Sequence, residues 1–269
     1  MKKILGLIIA FLITTQAYAS IAVAPTRIEI NANKAKGNYI TTAVEVRGDA
    51  RTPIRFRVYP GYFTINEKAQ MVQYEKSDDA YNIAKKIRFV PSEFTVQPGK
   101  TQKLRINIAG LNSLPDGENR AILYLEDVNA KEFGVDTGME GIGAQLIVKT
   151  RMGIPIYVDK GKFTKKADIE NLNIIKEKDG LYAQMKIVSS GNSKIRYDGK
   201  IQIIQGKKLI QENPLKPNVV GSNNYYVAKD KILTDKVKES GEYTVRVVVS
   251  YTDENGKKQN LKEEMAVNL

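Results

Sequence analysis

Any chemistry in this chain must come from carboxylates, lysine, tyrosine, serine and threonine, because its 269 residues include no His and no Cys. That removes the common zinc and haem ligands, the Ser-His and Cys-His nucleophile pairs, disulfides and thiol switches. The string Gly99-Lys100-Thr101 has the ending of a phosphate-binding loop, but the Gly required five positions before Gly99 is Phe94. It follows Pro98 and runs into a strand-like segment, so it reads as a turn. Acidic clusters at 127–136 and at Asp253-Glu254-Asn255 lack the regular oxygen spacing of a calcium loop, and both read as hairpin turns. Two carboxylates able to hydrolyse a glycoside can meet from anywhere in a fold, yet nothing in the sequence supports such a pair. No catalytic residue, cofactor or metal ligand is assigned, and an enzyme is not expected.

Charge and aromatic content therefore bear on binding. Lys and Arg number 42 against 30 acids, a formal net charge of +12. The bases are dispersed among acids as short pairs, Lys85-Lys86, Lys165-Lys166, Lys207-Lys208 and Lys257-Lys258, where a nucleic-acid binder gathers them in a stripe. A solvated surface is expected, with no nucleic-acid partner. Tyr225-Tyr226 reads as a cross-strand pair in preference to a stacking platform.

The elements that position these residues are strands. The chain opens with Lys2 and Lys3, an apolar run over 4–13 and Ala17-Tyr18-Ala19, the pattern of a cleaved secretory signal. A membrane anchor would need about 20 apolar residues. Cleavage after Ala19 removes 19 residues and two lysines, leaving 250 residues of net charge +10, exported, with no membrane insertion and no disulfides to support its cores. From residue 21 onward, apolar and β-branched residues alternate in short runs that stop at Gly, Pro, Asn or Asp, which predicts strands. Examples are 26–30, 39–46, 54–59, 103–108, 121–126 and 144–152, then 169–175, 181–188, 200–204, 225–227, 243–251 and 259–267. The last two flank Asn255-Gly256, a strong hairpin signal. No helical period is sustained, although 79–86 could make a turn or two. The polar stretch 158–162 lacks periodicity and is taken as a boundary, giving a signal at 1–19 and β-sandwich domains at 20–157 and 158–269.

Val90-Pro91-Ser92-Glu93-Phe94-Thr95-Val96-Gln97-Pro98-Gly99-Lys100-Thr101-Gln102-Lys103-Leu104-Arg105-Ile106 resembles the P-x-x-F-x-(apolar)-x-P-G-x-x-Q-x-(apolar)-R segment of the periplasmic pilus chaperones, the PapD-like family. Three further stretches fall in that family's order. Pro25-Thr26-Arg27-Ile28 resembles its first strand, 114–121 its D-R-E-S turn with Gly117 in place of Arg, and 144–157 its long last strand. In the second half the similarity is confined to Gly241-Glu242-Tyr243-Thr244-Val245 and the strand pattern.

The resemblance implies an all-β fold of two immunoglobulin-like β-sandwich domains. It also implies a periplasmic, ATP-independent chaperone that binds pilus or fimbrial subunits by donating a strand and delivers them to an outer-membrane usher. Ala144, Leu146 and Val148 share one strand face and would be the donated residues. The family grips the subunit's terminal carboxylate with two basic residues. Arg27 occupies the first position; the second, a Lys in the family, is Gly153 here. Arg151, two residues earlier on the same face, is the expected substitute, with Lys149 a further two back. The absence of Cys disfavours the family's cysteine-containing, long-loop branch. The alternative is a secreted β-sandwich adhesin or carbohydrate-binding module, although sugar modules favour exposed Trp and this chain has none.

Overall fold

The computed structural model describes residues 21–48, 52–129, 131–136, 143–237 and 240–269, so the secretory signal lies outside the described residues. The first half contains strands β1 (Ile21–Ala24), β2 (Ile28–Asn31), β3 (Tyr39–Gly48), β4 (Ile54–Ile65), β5 (Met71–Tyr74), β6 (Ile87–Val90), β7 (Glu93–Val96), β8 (Thr101–Ala109), β9 (Gly117–Asp127), β10 (Lys131–Asp136), β11 (Gly143–Val148) and β12 (Arg151–Lys160). The second contains β13 (Ala167–Glu177), β14 (Gly180–Ser189), β15 (Ile195–Gln205), β16 (Lys208–Val220), β17 (Asn224–Ile232), β18 (Glu242–Thr252) and β19 (Lys258–Asn268).

The all-β, two-sandwich expectation is met. One sheet, ordered β1-β3-β8-β6, faces another ordered β2-β12-β9-β4-β5, with β7 also paired to β4. Alternation along the strands drives this packing, since successive side chains point to opposite faces. Leu104, Ile106 and Ile108 of β8 and Val44 and Val46 of β3 bury against Phe56, Val58, Leu123, Leu125, Ile154, Ile156 and Val158 from the other sheet. A second sandwich packs β13-β14-β17 on β16-β15-β18-β19. Its core holds Ile187, Ile201, Ile203, Val245, Val247 and Val249.

The Asn255-Gly256 hairpin joins β18 to β19 as expected. Gly256 takes φ +81°, and Asp253 closes the turn by accepting from the backbone N–H of Asn255 and Lys257 and from the Gln259 amide. Gly99-Lys100-Thr101 is also a turn, with Gly99 at φ +69° and Lys100 N–H bonded to the Gln97 carbonyl at 3.0 Å. Within 79–86 there is a single 3-10 turn, Ala84–Lys86. The chain departs from the expected pattern at β12, which continues to Lys160 with Val158 and Asp159 buried. The polar residues after Tyr157 are therefore ladder residues, opposite Asn119, Glu118 and Gly117 of β9.

Candidate functional site

The last strand of the first sandwich is where the fold departs from a closed β-sandwich. β9 and β12 pair along their whole length, from Arg151 opposite Glu126 to Lys160 opposite Gly117. Beyond that, the same hairpin continues as β10 and β11, from Lys131 opposite Val148 to Asp136 opposite Gly143. β10 and β11 form a sheet of their own. On the other edge of β12, β2 pairs in parallel only with 156–159. From Gly143 to Pro155, therefore, one edge of this strand meets no other strand among the described residues.

Ala144, Leu146 and Val148 share the parity of Met152, Ile154, Ile156 and Val158, of which the last three are buried in the first core. Val148 itself is 39% exposed.

The opposite face of β12 carries Arg151, Gly153, Pro155, Tyr157 and Asp159. It joins a second apolar cluster made of Phe63, Ile65, Ile122, Tyr124 and Tyr157, with Tyr59 and Val219 against it. Phe63 and Tyr157 meet edge to face at 5.3 Å between ring centroids, and Tyr59 lies 5.2 Å from Tyr124, distances at which aromatic quadrupoles attract. Gly153 is what permits this: a Cβ there would sit 2.5 Å from Ile122 Cδ1. The position of the expected family lysine is thus filled from the neighbouring strand by Ile122 and Tyr124.

Arg151 is held on that aromatic face. Its guanidinium stacks 4.3 Å from the Tyr124 ring centroid, donates to Tyr59 Oη at 3.2 Å and reaches Gln73 Oε1 at 3.4 Å. The hydrogen bond to Tyr59 raises the Arg151 pKa, while burial raises that of Tyr59, which itself donates to Glu126. Arg27 precedes Ile28, the partner of Ile156, and so aligns with Pro155. Four residues of β12 separate that level from Arg151, about 13 Å along a strand. The structure does not bring the two expected anchor residues together.

Arg27 instead joins a charged cluster in the crease between the sandwiches. Glu29 Oε1 lies 3.3 Å from Arg27 Nε and accepts from Arg196 Nε at 2.6 Å, with Lys194 Nζ at 3.9 Å. Behind it, Lys194 Nζ binds Glu118 Oε2 at 3.1 Å, with side-chain exposures of only 3% and 0%. The Lys194 backbone N–H donates to the same oxygen at 3.0 Å, and Arg120 Nη1 stands 3.9 Å from Glu118 Oε1. Lys194 also lies 3.8 Å from the Tyr157 ring centroid. Burial raises Glu29, but Lys194, Arg196 and Arg27 outweigh it and hold the carboxyl below its ordinary value. Burial pushes the Tyr157 hydroxyl up to about 12.

Further bonds join the two halves. Ser193 Oγ donates to Asp159 at 2.7 Å, Lys165 pairs with Asp159 at 3.2 Å, and Asn224 Nδ2 donates to the Ile65 carbonyl at 3.0 Å. Gly117, at φ +110°, lets Asn192 approach: a Cβ would lie 2.9 Å from the Asn192 carbonyl oxygen, which accepts from Glu118 N–H. That contact leaves no room for a side chain at position 117. Sequence reasoning missed Glu29, Glu118, Lys194 and Arg196. The available signal was Lys194 and Arg196 alternating with Ser193 and Ile195 at the start of a strand.

No family model matches the chain, and no curated protein does. Among solved structures it is similar to the class 5 fimbriae chaperone CfaA, at 11% identity and TM-score 0.45, over 92% of this chain and 98% of that one. It is similar to the YadV chaperone at 10% identity and TM-score 0.46, over 93% and 100%. A third is the CsuC-CsuE chaperone-tip adhesion subunit complex of Acinetobacter baumannii, at 14% identity and TM-score 0.44, over 91% and 98%.

Proposed function

We propose that this chain is a periplasmic chaperone that completes exported pilus or fimbrial subunits by adding its 143–155 strand to them and delivers them to an outer-membrane usher. One observation carries the reading: two successive strands, β11 and β12, with an open backbone edge over 143–155 and apolar residues at 144, 146 and 148, the second strand rooted in the protein's own core. An unprotected edge of this kind is an aggregation liability. Strand addition uses it, with main-chain hydrogen bonds for affinity and alternate side chains in the partner's groove. Arg27, half exposed, is the first carboxylate anchor. Export through the signal at 1–19 belongs to the same reading, as does division into two domains. β12 runs to Lys160, which supports a division within 161–166.

The test is Leu146→Asn with Val148→Asn. Periplasmic co-purification with mass identification of the captured protein should succeed for the wild type. Losing two buried apolar side chains, each worth about 1.5–3 kcal/mol, should weaken capture at least a hundredfold. The denaturation midpoint of the free protein should hardly move, because on this reading that face is closed only by the guest. Marked destabilisation with capture intact would refute donation through these residues.

A further inference from the structure

Glu29 stands where a bound carboxylate would stand. Three cations converge on its Oε1: Arg196 at 2.6 Å, Arg27 at 3.3 Å and Lys194 at 3.9 Å. Arg27 comes from the first sandwich and the other two from the second. Lys194 is already committed to Glu118 at 3.1 Å and to the face of Tyr157. Asp159 is likewise taken by Lys165. The cluster thus sets four cations, Arg27, Arg120, Lys194 and Arg196, against two carboxylates, Glu29 and Glu118. It carries a surplus of positive charge.

The outer part of this cluster is open. Side-chain exposures are 51% for Arg27, 34% for Arg196 and 38% for Glu29. A cleft of about 510 Å³ opens beside Glu29, walled by Lys34, Lys165 and Lys194 together with Asp159, Asp253 and Glu254. Neither guanidinium lines that cleft; a chain end could reach both directly from solvent, where each is partly exposed.

Resting on the chaperone reading above, we infer that Arg27 and Arg196, one from each sandwich, form the carboxylate clamp, and that Glu29 is a resident carboxylate which an incoming strand's C-terminal carboxylate displaces. The exchange is like for like, so both guanidiniums keep charge-assisted bonds in either state. Glu29 rehydrates easily because it is already partly in water. Without a resident anion, two guanidiniums held this close would repel. With Arg196 as the second cation, no lysine is needed at Gly153, and none could be placed there beside Ile122 and Tyr124.

The experiment compares two probes on full-length mature protein. One is an N-acetylated nine-residue peptide of alternating Val and Thr that ends in Tyr with a free carboxylate; the other is the same peptide as its C-terminal amide. Binding is measured by calorimetry for wild type, Glu29→Gln and Arg196→Gln, with a melting curve for each. Wild type should prefer the carboxylate peptide. Glu29→Gln should bind it about tenfold more tightly, the size of one competing charge-assisted bond, and bind the amide unchanged. Arg196→Gln should lose the preference. An unchanged or weaker carboxylate affinity in Glu29→Gln would overturn the resident-carboxylate role and leave strand capture standing, and a preference retained in Arg196→Gln would overturn the clamp. Arg196→Gln probes the same clamp if Glu29→Gln fails to fold. No binding of either peptide to any of the proteins would overturn the chaperone reading itself, and the clamp with it.

Discussion

Replacing Lys194 with Met probes how the two sandwiches are joined. Lys194 Nζ and Glu118 Oε2 are 3.1 Å apart, and both side chains are almost wholly buried. At an effective dielectric of about 20, that separation corresponds to a gross attraction of about 5 kcal/mol, most of it offset by desolvating the two charges. Met matches the length of the lysine stem and leaves little cavity, so the substitution removes the charge and little else. Glu118 would keep the Lys194 main-chain donor at 3.0 Å and Arg120 at 3.9 Å, which places the loss near the low end of the 3–5 kcal/mol expected for breaking a buried pair. Glu118→Gln alone should cost a similar amount, and the double variant much less than the sum, because no unpaired charge then remains. The assay is urea unfolding of all four proteins followed by far-UV circular dichroism, the chain having no Trp. A loss below about 1 kcal/mol for Lys194→Met, or strict additivity in the double variant, would refute the reasoning.

Other expectations follow from single residues. Arg27→Glu should cost only about 1 kcal/mol of stability, the loss of a half-exposed pair with Glu29, and should abolish subunit capture in a pull-down; capture at wild-type level would remove Arg27 from the anchor. Limited proteolysis should cut within 161–166 in preference to 158–160, where the chain is still in β12, and should release two β-rich fragments seen by mass spectrometry; one protected core across 161–166 would contradict the division. Gly153→Ala should lower stability by about 1–3 kcal/mol, the cost of overpacking, because the new methyl would lie 2.5 Å from Ile122 Cδ1; an unchanged denaturation midpoint would show that Ile122 yields freely. The Glu29 carboxyl is lowered in the folded state, so its contribution is complete at neutral pH and is lost as pH falls below the ordinary value near 4.5. Melting temperatures of wild type and Glu29→Gln should therefore converge between pH 5 and pH 3, and a constant difference over that window would count against it.

The fold was largely legible because alternation is a local property. Strands such as β8, β18 and β19 announce themselves through residues two apart, and Asn255-Gly256 announces the hairpin between the last two. β16 did not, because Pro214 and Pro217 interrupt its pattern. It is an edge strand, a place where a sheet tolerates proline. The end of β12 is hidden in the sequence because Asp159 and Lys160 look like the start of a polar linker, while in the fold Asp159 is buried and partnered by Ser193 and Lys165 from the far side of the crease. The charged cluster was illegible for the same reason. Glu29, Glu118 and Lys194 are far apart in sequence, and each looks like a solvated strand charge until two sandwiches close around them. Arg27 stands out in the sequence only through the resemblance, and its shared contact with Arg196 on Glu29 only in the folded chain.

The strand that runs from β11 into β12 has one further consequence. At 156–159 it is pinned on both edges, by β2 and β9, and Ile156 and Val158 are fully buried. That end cannot slide. Because the side-chain period is two, slipping by one residue turns every inward position outward, and slipping by two moves the chain about 6.6 Å. The fixed end therefore acts as the zero of a ruler, and positions 144, 146 and 148 are its graduations. Any segment that aligns along the open edge has its register measured from inside the first core. Removing one residue at 149–150 would recalibrate that scale without altering a single residue on it.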